Sequence, residues 1–450
     1  MSQERLFAED AVAEATGATP EIATRPSQAR VNGPVRNQME VVMRDLDSTL
    51  PEDHTARSIW EFLQKMDTSA FYGAIKSIDG VAGRPASDTQ VLLALWLYAT
   101  TEGVGSARQL DRLCAEHDAY RWLRGGVPVN YHMLSDFRVA HGQALDELLT
   151  EIVASMMAEG LVTLRHAAQD GLRTRASAGA SSFRRKEGLE RCLVEAREQV
   201  ERLAKEREHP DPGVNRREQA ARERAARERQ SRVEEALRHM PEIQAAKERQ
   251  GKTLAKDKRD EVTEPRVSAT DPEARVMKMP DGGWRPAYNL EIASDVDSQV
   301  IVGVAVVTEG SDGGEAAPMA EQIHKRTDRR PEGYLIDGGF ATLEDITTLQ
   351  RQGITVYAPT RAPRTQTSGR RQGEPRLDDT PEVAAWRARM ETPEAKVIYR
   401  ERGATAECVN AHGRRYGLQQ LLVRGADKVL NVLLLVAIAH DLLRWIAMTA

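Results

Sequence analysis

Only three cysteines occur in the chain, Cys114, Cys192 and Cys408, and none forms a CxxC pair. This scarcity argues against a disulfide framework or a structural zinc site and suits a reducing cytoplasm. An excess of positive charge is also missing. Lys and Arg number 63 against 68 Asp and Glu, for a net charge of -5 and a pI near 6.1. A nucleic-acid protein of this composition must concentrate its cations locally. The most apolar stretch, VLNVLLLVAIAHDLLRW (429–445), is broken by Asn431, His440 and Asp441. It falls short of the roughly 18–20 clean apolar residues of a membrane span, so a buried helix is expected. The first ten residues, MSQERLFAED, are polar and acidic, unlike a secretory signal, and the expected location is cytoplasmic.

At 450 residues the chain has room for two or three domains. Residues 1–50 hold few large apolar groups and read as a flexible N-terminal arm, either solvated or touching DNA backbone. From 51 to 160, the runs SIWEFLQKM, TQVLLALWLYATTEG, SARQLDRLCAEHDAYRWL and LSDFRVAHGQALDELLTEIVASMMAEG repeat apolar residues at helical spacing. Ser87 or Asp88 can cap the second and Ser106 the third. This layout suits a helical DNA-binding domain and equally a plain helical bundle.

Residues 184–265 form an insertion. Leu189, Leu193, Ala196, Val200 and Leu203 keep a four-three spacing, the seam of a coiled coil. HPDPGVN (209–215) breaks that helix, and a second charged helix follows, with seven arginines and three glutamates between 216 and 232. The pattern predicts an antiparallel helical hairpin whose charges are mostly ion pairs on a wet face. After residue 284 the pattern turns α/β. YNLEIAS and QVIVGVAVV flank the turn DVD as a hairpin, then helix, strand YLID, helix and strand ITVYAP alternate. A basic loop at 360–380 leads to helices at 382–391, 395–415 and 426–446. With a first strand at 164–170, this is the order of an RNase-H-like mixed five-stranded sheet. Residues 161–450 would then be the catalytic domain.

Three acids stand out in that frame. Asp170 follows LRHAAQ, Asp337 follows GYLI, and Glu407 lies in the helical run YRERGATAECVNAHGRR. Neighbouring central strands would bring Asp170 and Asp337 together, and the later helix would present Glu407 to both. Three carboxylates so arranged suit paired divalent ions, which take hard oxygen ligands. Arg400, Glu407 and Arg414 recur every seven residues and share one helical face, where guanidinium groups can reach phosphates. Blander roles also fit these positions: Asp170 and Asp337 each precede glycine, as turn acids do, and Glu407 can pair with Arg402 or Arg414. Asp295 and Asp297 in a turn, and Glu291 within a strand, read as acids without a catalytic part.

From Asp170 onward the chain resembles the bacterial DDE insertion-sequence transposases with a Tyr-x-x-Arg, Glu, Lys/Arg signature near the C-terminus. The signature stands here as Tyr399, Arg402, Glu407 and Arg414. QDGLRTRASAG (169–179) is similar to the family's first-Asp strand and YLIDGGFATLEDI (334–346) to its second. VNYHMLSDFR (129–138) resembles part of the helical DNA-binding region. The resemblance implies a DNA transposase that binds terminal inverted repeats and cleaves and joins DNA with two Mg²⁺ or Mn²⁺ ions. Asp170, Asp337 and Glu407 would be the catalytic, metal-binding residues, and Tyr399, Arg400, Arg402 and Arg414 would contact DNA. Paired ends imply a homodimer. The sequence departs from the family where Pro and Phe often follow the Glu, since Cys408, Val409 and Asn410 stand there. A nuclease on the same fold without strand transfer, and a non-catalytic DNA-binding descendant, remain alternatives.

Overall fold

The computed structural model describes residues 39, 43–73, 75, 77, 85–208, 215–253, 264–310, 312–360 and 373–449. Most of the proposed N-terminal arm, most of the HPDPGVN break and residues 361–372 of the basic loop lie outside these. Residues Asp45–Ala450 make one compact unit.

The unit begins with helices α1 (Thr55–Leu63), α2 (Thr89–Thr101), α3 (Ala107–Glu116), α4 (Asp118–Arg124), α5 (Tyr131–Ala140) and α6 (Gly142–Ala158). Asp88 caps α2 by accepting from the Gln90 N–H, and Ser106 caps α3 by accepting from Gln109. The single helix expected over 106–123 is two. His117 is extended, and its ring accepts from the Ala119 N–H to start α4.

Strand β1 (His166–Arg175) enters the α/β layer, followed by β2 (Phe183–Arg184) and the long helices α7 (Lys186–Glu208) and α8 (Arg216–Thr253). Ion pairs Arg207–Glu223, Arg197–Glu234 and Arg229–Glu195 tie α7 to α8 in opposite chain directions. Leu189, Ala236, Met240 and Val267 form an apolar cluster apart from the main core. Strand β3 (Val267–Ser268) pairs antiparallel with β2, so the chain returns to where the arm began.

Next come β4 (Arg275–Lys278), β5 (Trp284–Asp295), β6 (Ile301–Val307), α9 (Ala316–Thr327), β7 (Gly333–Leu335), α10 (Leu343–Arg351) and β8 (Thr355–Tyr357). The main sheet is mixed. β1 runs antiparallel to β5 and parallel to β7, which is parallel to β8. It was expected to have five strands and has six. The short β4 pairs with residues 284–287 of β5 and β6 with 289–294, both on the edge away from β1. β5 is long enough to serve two neighbours in turn. The first strand also outruns its expected end at Asp170, continuing through Gly171 to Arg175. A Cβ on Gly171 would stand 2.9 Å from Asn289 Oδ1 and 3.0 Å from Glu291 Oε1. This glycine makes room for polar side chains on β5 rather than turning the chain.

Helices α11 (Pro381–Met390), α12 (Pro393–Arg415) and α13 (Ala426–Thr449) close the fold. By length and composition α13 is apolar enough to cross a membrane. Here it packs on α2, α5 and α6 on one side and on β6 on another. Val429, Leu433, Leu434, Leu435, Val436, Ile438 and Leu442 are all buried. At about 1.5–3 kcal/mol for each large apolar side chain, this burial is on the order of 10 kcal/mol, comparable to a whole domain's net stability. Two of the polar residues that interrupt the run are bonded inside. Asp441 accepts from the Ile301 N–H at 2.8 Å, and His440 Nε2 lies 2.9 Å from the Gln299 carbonyl. Burial holds the Asp441 carboxyl well above its ordinary range and drops the His440 imidazole to about 4.

Candidate active site

β1 and β7 lie side by side at the middle of the sheet, with Ala168 opposite Leu335. Asp170 lies two residues further along β1 and Asp337 two residues past the end of β7, so continuing the alternation brings them near each other on one face. Asp170 is half-buried between the sheet and α12. Its Oδ1 accepts from Arg402 Nη2 at 2.8 Å and its Oδ2 from Asn410 Nδ2 at 2.8 Å. Burial raises the Asp170 carboxyl; Arg402 opposes that, while Asp337 and Asp312 reinforce it. Asp337 Oδ1 accepts the N–H groups of Gly339 and Phe340 at 2.6 and 3.1 Å. It thus organises the turn after β7 while repelling Asp170.

Sequence reasoning missed Asp312, on the segment between β6 and α9. A Cβ on Gly339 would stand 2.9 Å from Asp337 Oδ1 and 3.4 Å from Asp312 Oδ2, so these two acids flank that glycine. Asn289 Nδ2 donates to Asp312 Oδ1 and to Glu291 Oε1, each at 2.6 Å. Glu291 is fully buried and also accepts from Gln169 at 2.9 Å; Gln169 in turn accepts from the Tyr334 hydroxyl. Desolvation drives the Glu291 carboxyl to about 8, with Asp312, Glu315 and Asp170 adding to it. Asn289 Oδ1 is buried with no hydrogen-bond partner among the described residues. The only visible signal for this layer was a lone acid inside an apolar strand.

The residues on α12 divide. Arg402 and Tyr399 lie against the aspartates, and burial raises the Tyr399 phenol, with Arg402 opposing and both aspartates adding. Arg400, Glu407 and Arg414 are exposed. Glu407 precedes Asn410 by three residues and is its neighbour on the helical surface. Among the described residues it bonds to neither aspartate, and to neither Arg402 nor Arg414. Arg414 lines a cavity of about 370 Å³ with Arg173, Arg175 and Arg285, a local concentration of positive charge in an acidic chain. Asp295 caps the β5–β6 turn by accepting from Ser298 and Leu164, and Asp297 pairs with Arg165, so both are accounted for by the fold.

A transposase DDE domain model matches residues 257–442, and a transposase domain model (DUF772) matches residues 44–140. The chain belongs to the insertion-sequence DDE transposases. Searches of curated proteins and of solved structures gave no match. The family carries an RNase-H-like fold, consistent with the mixed sheet of this transposase and the helices packed on it. The DDE match takes in Asp312, Asp337 and Glu407; Asp170 precedes it. DDE domains work with divalent metal, and the donors here fit one. Asp170, Asp312 and Asp337 offer hard oxygens whose mutual repulsion a cation relieves.

Proposed function

We propose that this transposase binds the terminal inverted repeats of an insertion sequence and catalyses metal-dependent cleavage and strand transfer of its DNA. The observation carrying this reading is the approach of Asp170 to Asp337 just beyond the paired residues of β1 and β7, with Arg402 and Asn410 of α12 bonded to Asp170 and Tyr399 beside them. Asp170, Asp337 and Glu407 are the residues we assign to hold two Mg²⁺ or Mn²⁺ ions. When bound, the ions supply activation of the attacking oxygen and charge neutralisation at the departing 3′-oxygen.

The protein's own part is positioning. Asp337 is fixed by two backbone N–H groups, and Asp170 by a guanidinium and an amide, so both carboxylates are held before substrate arrives. Arg402 is charge-paired with Asp170, and its guanidinium, beside the carboxylates that would hold a cation, is also suited to a phosphate. Arg400 and Arg414, exposed on α12, and the arginines around Arg414 suit the backbone of the bound duplex. The helical region 51–160 serves end recognition, the α7–α8 arm is an insertion within the catalytic region, and two chains act on paired ends.

Asp337→Asn is the test. It is expected to abolish nicking of a transposon-end duplex in Mg²⁺ or Mn²⁺ while leaving end binding, read by gel shift, largely intact. Cleavage at the wild-type rate would remove the assignment. Joined target products with the unmutated protein distinguish a transposase from a nuclease that stops at nicks.

A further inference from the structure

Away from the catalytic acids, one trio of side chains has the donors and spacing of a cation site. Glu235 and His239 stand one turn apart on α8, and Glu273 comes from the segment between β3 and β4. One ligand atom from each lies within 4.8 Å of the others, and all three residues are half-buried. No other trio of acid, imidazole or thiol groups is gathered this closely among the described residues. His239 Nδ1 is 3.4 Å from Glu242 Oε2, the carboxylate contact that orients a metal-binding imidazole.

A second observation points to a ligand. Asp271, two residues before Glu273, is fully buried. Its Oδ1 accepts from the Tyr288 hydroxyl at 2.7 Å and the Gly425 N–H at 3.2 Å, but among the described residues Oδ2 has no hydrogen-bond partner. Asp271, Glu235 and Glu273 line one cavity of about 770 Å³, together with Arg138, Arg232, Arg424 and Lys428. An unpaired buried acceptor costs stability unless something satisfies it. Two nearby arginines, Arg275 and Arg424, are engaged with carbonyls elsewhere. Arg275 bonds the carbonyls of Pro272 and Ala274, and Arg424 bonds that of Ser177.

We propose that Glu235, His239 and Glu273 form a structural site for a divalent transition ion of the zinc class. One imidazole with carboxylates suits that class. The shortage of cysteine pairs spoke against a structural zinc site, but this donor set uses no thiolate. Glu273 also accepts from the Ala426 N–H at 2.7 Å, at the first residue of α13. Occupancy therefore ties the arm, through α8, to the start of the helix that fills the core.

Zn²⁺ titration of the chelator-stripped full chain, in competition with a chromophoric chelator, tests this in an Asp170→Asn/Asp337→Asn background. One ion per chain is expected there, with His239→Ala and Glu235→Gln each weakening binding at least tenfold. Zinc should raise the thermal midpoint of the background protein and slow tryptic cleavage within α8, and do neither after His239→Ala. Circular dichroism checks that the variants are folded, and His239→Gln replaces any alanine variant that is not. Absence of zinc binding in the background, or binding unaltered by both Glu235→Gln and the histidine variant, overturns the site. Zinc bound by the unmutated chain but lost in the background would assign the ion to the catalytic acids instead. None of these readouts depends on DNA cleavage.

Discussion

Arg402 and Asn410 each hold one oxygen of Asp170 from positions eight residues apart on α12, and Glu407 stands between them in sequence on the exposed side. Asp312 is the other acid near the aspartate pair, so the third metal-binding role is open to a direct comparison. Glu407→Gln is expected to lower cleavage at least about 100-fold, on the order of 2.7 kcal/mol of transition-state stabilisation. As an exposed residue without a bonded partner among the described residues, it should leave thermal stability unchanged within about 0.5 kcal/mol. Should Asp312→Asn abolish cleavage while Glu407→Gln cuts normally, the role passes to Asp312. Glu291 sets a different dependence. Its carboxyl rises from an ordinary 4.5 to about 8 by burial, so the folded state favours the protonated form. That contribution is complete below about pH 4.5 and fades as pH climbs to 8, at about 1.4 kcal/mol per unit at most. Glu291→Gln should flatten the loss of stability of the metal-free protein between pH 5 and 8; identical urea-denaturation trends for both proteins would refute this. The closeness of Asp170 and Asp337 was legible because each follows an apolar run, whereas Glu407 was singled out by its signature spacing alone, and the structure bonds it to neither aspartate among the described residues. Asp312, in SDGG, looks like any turn acid, and its relevance depends on a contact across the fold that spacing does not record.

Elements with strong periodicity were the readable ones. The four-three seam from Leu189 to Leu203 marks α7, and the breaks in the apolar run 429–445 suit a core helix whose polar groups find partners at the β5–β6 turn. Two errors came from reading glycine as a stop and its absence as continuity. Gly171 lies inside β1 because polar side chains on β5 need its missing Cβ, whereas His117 divides α3 from α4 with no glycine or proline. The arm and the terminal helix also differ in how they are anchored. Leu189 belongs to the small cluster with Ala236, Met240 and Val267, while Leu433 belongs to the main core. Leu433→Ala should cost about 2–5 kcal/mol and lower the main thermal transition. Leu189→Ala should leave that transition nearly in place and speed proteolysis within α7 and α8, because opening there is local. Equal shifts of the main transition in both variants would show that the arm unfolds with the body.

Across the whole molecule, the helical region and the sheet share one apolar core, a feature that linear order conceals. Trp96 and Leu149 from the first helices, Leu290 and Val304 from the sheet, and Leu433 from α13 belong to a single cluster of buried residues. α13, last in sequence, sits between the two parts, packing on α2, α5 and α6 as well as on β6. Arg326 of α9 adds a polar tie, bonding Asp146 Oδ1 at 2.6 Å and Thr150 Oγ1 at 2.8 Å on α6. A domain reading with a boundary near 160 predicts that residues 161–450 fold alone. The shared core predicts otherwise, since removing residues 1–160 uncovers one side of α13 and leaves Leu433, Val436 and their neighbours in water. The cost, about 25 cal/mol for each Å² of apolar surface exposed, falls on a helix whose burial rivals the net stability of a domain. The full chain should therefore unfold with α1–α6 and the sheet in one transition, seen as coincident loss of helical circular dichroism and of tryptophan fluorescence. The 161–450 fragment should bind a hydrophobic dye and show no sharp melt. A fragment that melts cooperatively near the temperature of the full chain would establish two independent domains and reduce α13 to a linker between finished cores.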